Sequence, residues 1–394
     1  MKALWVTPPD LPRFFNVRRL IYHTANLNIL VSQIFGYFPV SVKSTSHIPQ
    51  IISIVISVTS LMLALWALMS TRVDTSHPSG TFKSVATAWM TFIFIMQSIS
   101  RLSLLVHGRK LRDLLDSSIS TVEQIIQFQG FPDFPQFCAK LRNRSVKLVS
   151  FYALSAIVIS LLQLRNILWT ESNRRRNILS DILMSIMTHV SLFSFLSLEF
   201  FCQIYNYCLT CVTASIGKGT FSKKNLALEK FNDINVVLDC FNALADQVQQ
   251  FNAIYEGKMV VDVFYYFTLC IFRGYFATQL GSECCSVTSL VYFVIHLMSI
   301  CIMGYGVWSI ASLSTKLGEG SGRFFRELAN ISTVGVLDKG IMLKLQLMTT
   351  HFTGNPLQIK TRLFAFNLYL PVSIMGAVTT YLVIIVQFQQ SEKV

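Results

Sequence analysis

Three ionisable side chains, Arg101, Glu199 and Arg273, sit inside long apolar runs of this 394-residue chain. A charge there is costly, so each marks either a structural pairing or a place where an ion or ligand is met. Arg101 and Glu199 fall toward the same half of their runs and can pair across two helices, as a structural lock or as part of a gate. Arg273 falls in the opposite half, within reach of a polar ligand or a lipid headgroup. That half also holds residues suited to a small ligand: Thr188 and His189 on one helix, Ser289, Tyr292 and His296 on another, with Trp89 and Gln163 to close the ring. Each of them reads equally as an interhelical hydrogen bond or an interface aromatic. No Gly-rich phosphate loop, HExxH or GxSxG motif occurs, and the polar residues within the runs are mostly Ser, Thr, Gln and Tyr. These types bind and line rather than catalyse, so neither an enzyme nor a metal or cofactor site is expected. Cys208 and Cys211 form a CxxC, but inside an apolar run they read as small buried hydrophobes.

Composition says what must position these residues. Hydrophobic residues make up 52% of the chain and charged ones only 13%, about half the charged share of a soluble domain. The chain therefore reads as an all-α, polytopic membrane protein. A net charge of +13 invites a nucleic-acid partner, but the basic residues flank apolar runs instead of forming one patch. Membrane topology accounts for them, and no nucleic acid is expected. The first twenty residues, with Pro8, Pro9, Pro12 and Arg13, contain no continuous apolar signal core.

Seven spans are expected, at about 48–69, 82–106, 146–164, 182–212, 259–280, 287–313 and 363–388. Ahead of them, residues 1–47 form a cytosolic N-terminus in which the broken run 29–42 reads as a short re-entrant segment. Residues 109–147 carry Leu111, Leu114, Leu115 and Ile119 at helical spacing outside the membrane, with breaks at Pro132 and Pro135. Residues 213–257 form a polar helical stretch. Residues 314–362 make a cytosolic anchor segment, comprising a loop rich in Gly and charge (314–339) and a short amphipathic helix (341–352). The tail 389–394 follows the last span. With the N-terminus inside, the four inner segments hold 5, 7, 5 and 7 of the basic residues, 24 of the 33. That bias puts the N-terminus in the cytosol and the C-terminus outside. The six spans of 48–313 then form a ligand-binding bundle.

The last run carries a second pattern. Ser373, Gly376, Thr380 and Gln387 lie along one helical stripe, small and polar on an otherwise apolar helix, and Ile384 and Phe388 extend the same face. Such a stripe should face protein or water rather than lipid. The run ends in Thr380-Tyr381, five apolar residues, and Gln387-Phe388. This TYxxxxxQF ending resembles the signature of the insect gustatory receptor family, relatives of the insect odorant receptors and their co-receptor. The inside N-terminus, the long fourth span and the helix before the last span resemble that family's layout too. The resemblance covers the whole chain by architecture and about the last fifty residues by motif.

The resemblance implies a ligand-gated, non-selective cation channel in the plasma membrane of sensory neurons, in dendrites and axons. It would assemble as a homotetramer or as a heteromer with other gustatory receptors, with small-molecule tastants, permeating cations and membrane lipid as partners. In that architecture the last helix of each subunit lines one pore. Ile384 and Phe388 would form the apolar constriction, Gln387 and Thr380 would face ions, and Tyr381 would pack the helix against its own subunit. Sugar, bitter and internal-nutrient ligands are all open. The rival readings are a receptor signalling through G protein, which needs the opposite topology, and a transporter, which would more usually show internal repeats.

Overall fold

The computed structural model describes residues 17–41, 47–71, 80–129, 133–169, 190–217, 227–281, 287–332 and 339–391. Ten α-helices carry these residues: α1 (Val17–Ile34), α2 (Ile48–Thr71), α3 (Gly80–Val106), α4 (Gly108–Gln129), α5 (Phe134–Trp169), α6 (Phe195–Gly217), α7 (Ala227–Gly281), α8 (Val287–Ser332), α9 (Lys339–Gly354) and α10 (Tyr369–Ser391). A 3-10 turn, Ser191–Ser194, leads into α6. Among the described residues five helices are long and apolar enough to cross a membrane, or up to six if α3 and α4, bent by 66° where they meet, count as one broken span.

The centre of the bundle is α7. At 55 residues it is about 80 Å long, far more than a bilayer core requires, and it packs on α3, α4, α6, α8 and α10. The sequence divides this region into a polar helix, residues 213–257, and a separate span starting at 259. The structure joins them without a break, because no Gly-Pro stop intervenes and Leu238, Phe241, Leu244, Phe251, Tyr255 and Met259 keep one buried face through the junction.

A second difference lies in 314–339, read from the sequence as a loop. In the structure α8 runs on through Ser332. Its glycines permit close approach: a Cβ on Gly320 would come within 2.8 Å of a Leu209 methyl on α6. Gly320→Val is accordingly expected to destabilise the fold by about 1–3 kcal/mol through overpacking, read as an earlier unfolding transition of the detergent-solubilised chain. Beyond that point Phe241 of α7 stacks on Phe324 of α8 at 4.4 Å, and Phe325 stacks on Phe352 of α9 at 5.4 Å. This apolar core ties the ends of α7 and α8 to α9.

Two smaller features also depart from expectation. Of the segment read as re-entrant, residues 29–34 are the end of α1, which begins at Val17 and has Asn28 donating to Ser145 Oγ of α5 at 2.9 Å, and residues 35–41 form the turn after it. The expected span 182–212 does not run as one regular helix, since the 3-10 turn interrupts it; residues 182–189 lie outside the described set. The buried spacing of Leu111, Leu114, Leu115 and Ile119 on α4 agrees with its amphipathic reading, and Pro135 stands in the first turn of α5, where a missing N–H costs nothing.

The last helix starts later than the apolar run does. Residues 355–368 form an irregular strap held by side chains of the long helices: Ser314 Oγ accepts from Ile359 N at 2.9 Å, and Asn252 Oδ1 accepts from Lys360 N at 3.2 Å. Asn367 then caps α10, its Oδ1 accepting from the backbone N of Tyr369 and Leu370 at 3.1 and 3.2 Å.

Candidate functional site

The packed face of α10 is set by spacing. Pro371, Ile374, Val378, Leu382 and Ile385 face the bundle, buried or half-buried, and Leu382 lies against Gly274 of α7, where no larger residue fits without moving it. The remaining faces are left uncovered, and only 11% of this span is buried, against 56% of the apolar part of α7. Ser373, Gly376, Thr380, Ile384 and Gln387 are all exposed, and a Cβ on Gly376 would meet nothing within 4 Å. Thr380 Oγ1 donates to Gly376 O at 3.1 Å, which satisfies the hydroxyl without a partner helix. Tyr381 meets Phe267 of α7 edge-on at 5.9 Å. The small and polar stripe therefore turns away from its own chain.

A second site forms where α3, α7 and α8 meet. Trp89, Arg273 and His296 each lie about two and a half turns, or about 13 Å, from the same end of their helices. All three are buried. The Arg273 guanidinium sits 4.8 Å from the centre of the Trp89 ring, and its Nη1 donates to His296 Nδ1 at 2.8 Å. A guanidinium only donates, so Nδ1 accepts and the ring proton sits on Nε2. Phe272 and Phe276 complete an aromatic wall, with centroids 6.0 and 5.2 Å from Trp89. Arg273 Nε and Trp89 Nε1 are buried without a hydrogen-bond partner.

Of the other ligand candidates, Gln163, Ser289 and Tyr292 have helical backbones but side chains outside the described set, as does Phe388 on α10; Thr188 and His189 lie wholly outside it.

The expected Arg101–Glu199 pair is not formed. Glu199 Oε1 instead accepts from Arg144 Nε at 2.7 Å and from Gln203 at 2.9 Å. Arg101 is taken up by the turn after α1. There Gly36, at a φ of +75° that favours glycine, brings the Phe35 carbonyl to 3.0 Å from Arg101 Nε and the Tyr37 hydroxyl to 3.3 Å from Nη2. The guanidinium also lies 4.7 Å from the Tyr37 ring centre. Beside it is an ion pair that reading the runs missed, Lys258 with Asp262, both buried. Asp262 further accepts from Ser100 at 2.7 Å and from Ser194 at 3.3 Å. The i,i+4 spacing of Lys258 and Asp262, at the start of an apolar run, was the available signal.

Comparison with known proteins now decides the family. The family model described as 7tm chemosensory receptor matches residues 25–392. The chain belongs to that family. No curated protein sequence matches this receptor. Among the solved structures that share its fold are two of the insect olfactory receptor OR5 from Machilis hrabei. The one in complex with eugenol has a TM-score of 0.66 at 13% identity, covering 95% of this chain and all of that one. The other has a TM-score of 0.63 at 14% identity with the same coverage.

Proposed function

We propose that this chemosensory receptor is a gustatory receptor that works as a ligand-gated, non-selective cation channel. In this reading it has seven spans, a cytosolic N-terminus and an extracellular C-terminus, and sits in the plasma membrane of sensory neurons as a homotetramer or with other gustatory receptors. The observation that carries the proposal is the outward-turned stripe on α10. A helix whose stripe of Ser373, Gly376, Thr380 and Gln387 faces away from its own chain exposes polar side chains, the Gln387 amide above all, that lipid cannot satisfy. A shared, water-filled axis satisfies them. Ile384, with Phe388 one turn beyond it, then supplies the apolar constriction, and Gln387 meets hydrated cations next to it.

The outer cluster of Trp89, Arg273 and His296 is the proposed ligand site. It reaches the pore helix through α7, which carries Arg273 on one face and meets α10 at the adjacent Gly274. A ligand that shifts α7 therefore moves the helix behind the gate, a stated element that both sites share.

Cysteine accessibility tests the pore. Ile384→Cys and Phe388→Cys receptors are expected to give ligand-evoked currents altered by a water-soluble thiol reagent applied from outside. Currents unaffected at both positions, with a response at Val383→Cys, would assign the lining to another face.

A further inference from the structure

The outer cluster contains one more piece of information, which rests on its reading as the ligand site and names what it would hold. Arg273 is 2% exposed, and no carboxylate pairs with it among the described residues. Its partners are a neutral imidazole and the face of Trp89. Both contacts are weaker compensation for a buried cation than an anion would be. One guanidinium donor, Nε, is left over, and so is the indole N–H of Trp89, whose ring lies under the guanidinium. Two orphaned donors and an unneutralised charge, all held together by rigid rings, form an acceptor site without its acceptor.

The other buried cations behave differently. Lys258, fully buried, has Asp262. Arg101 spends Nε and both Nη groups on oxygens of Phe35, Ser60, Tyr37 and Gln97. Among the buried cations Lys258, Arg101 and Arg273, only Arg273 has a buried side-chain nitrogen without a hydrogen-bond partner among the described residues.

We infer that the receptor's ligand is a small organic acid, a carboxylate on a flat apolar body. The carboxylate takes the free donors of Arg273 and Trp89, and the body lies along Phe272 and Phe276. A lipid phosphate offers the same acceptor chemistry and is told apart from a small acid by the binding test below.

Binding to the purified full-length receptor tests this without relying on currents. Benzoate, cinnamate and indole-3-acetate are compared with their primary amides by thermal shift in neutral detergent. At least one acid is expected to raise the unfolding temperature while its amide does not. Arg273→Met should weaken half-saturation by that acid about tenfold or more, the loss of a charge-assisted hydrogen bond. Because it removes an uncompensated charge, the same variant should unfold no earlier than the unmodified receptor.

Three results would overturn the inference: no shift with any of the acids, equal shifts with acids and amides, or an Arg273→Met receptor that unfolds markedly earlier, which would make Arg273 a structural residue. A fourth would replace the small acid by lipid: a shift produced by phosphatidylglycerol but not by phosphatidylcholine, and lost in Arg273→Met. An acid that binds as expected to a chain that passes no current would leave this inference standing and remove the channel reading.

Discussion

An Ile384→Gln receptor is expected to conduct cations without any ligand. Ile384 is 41% exposed on the uncovered side of α10, so the change does not disturb the core, where Leu382 and Ile385 pack. In the proposed pore its sec-butyl side chain keeps water from the narrowest section, and dewetting blocks ions. An amide at the same position binds water and keeps the section wet. Each chain in the assembly contributes one such residue, so a change of only about 1.4 kcal/mol over the whole ring is enough for a tenfold rise in open probability. Whole-cell currents in the absence of ligand, scaled to surface-biotinylated receptor, should therefore rise about tenfold or more. Val383→Gln, on the neighbouring exposed position, serves as the comparison. A basal current unchanged by Ile384→Gln would exclude Ile384 from the gate.

The second large effect concerns folding. Asp262→Ala leaves the Lys258 ammonium, which is fully buried, without its partner, next to Arg101 and the Tyr37 ring. Breaking a buried pair from one side typically costs about 3–5 kcal/mol, since the surviving charge cannot be hydrated. That is a large part of the whole stability of most domains. The Asp262→Ala receptor should unfold well below the unmodified one and reach the cell surface in much smaller amounts. Removing both charges, as Lys258→Met with Asp262→Leu, should restore most of the loss, because it trades the pair for apolar packing. Thermal unfolding in detergent measures both variants. If the double variant were no better than Asp262→Ala, the penalty would come from the serines that Asp262 holds, Ser100 on α3 and Ser194 before α6.

Most of this architecture could be read in the sequence, for reasons that particular residues make plain. Apolar run length points to long helices because every backbone group in hydrocarbon must be satisfied within its own helix. The stripe on α10 was legible because helical periodicity depends on spacing alone: once Pro371, Ile374 and Val378 form one face, Ser373, Gly376 and Thr380 must form another. The ending that resembles the gustatory receptors lies on that same helix. The glycines of 318–322 misled, because Gly and charge read as a loop until a neighbour such as Leu209 supplies the reason for a small residue in a helix.

Pairing was beyond the sequence. Depth along a helix suggested Arg101 with Glu199, but which side chains meet depends on how each helix is rotated and on what crosses it. A turn at Gly36 claims Arg101, and α5 delivers Arg144 to Glu199. For the same reason Arg273 stood alone in the sequence, a costly charge of unassigned purpose. Patterning by itself determined that this is a helical membrane protein with a polar stripe on its last helix, since burial in lipid constrains residue type directly. Only the tertiary structure set Arg273 between Trp89 and His296 with a donor to spare, because three helices distant in the chain must pack before their side chains share one space.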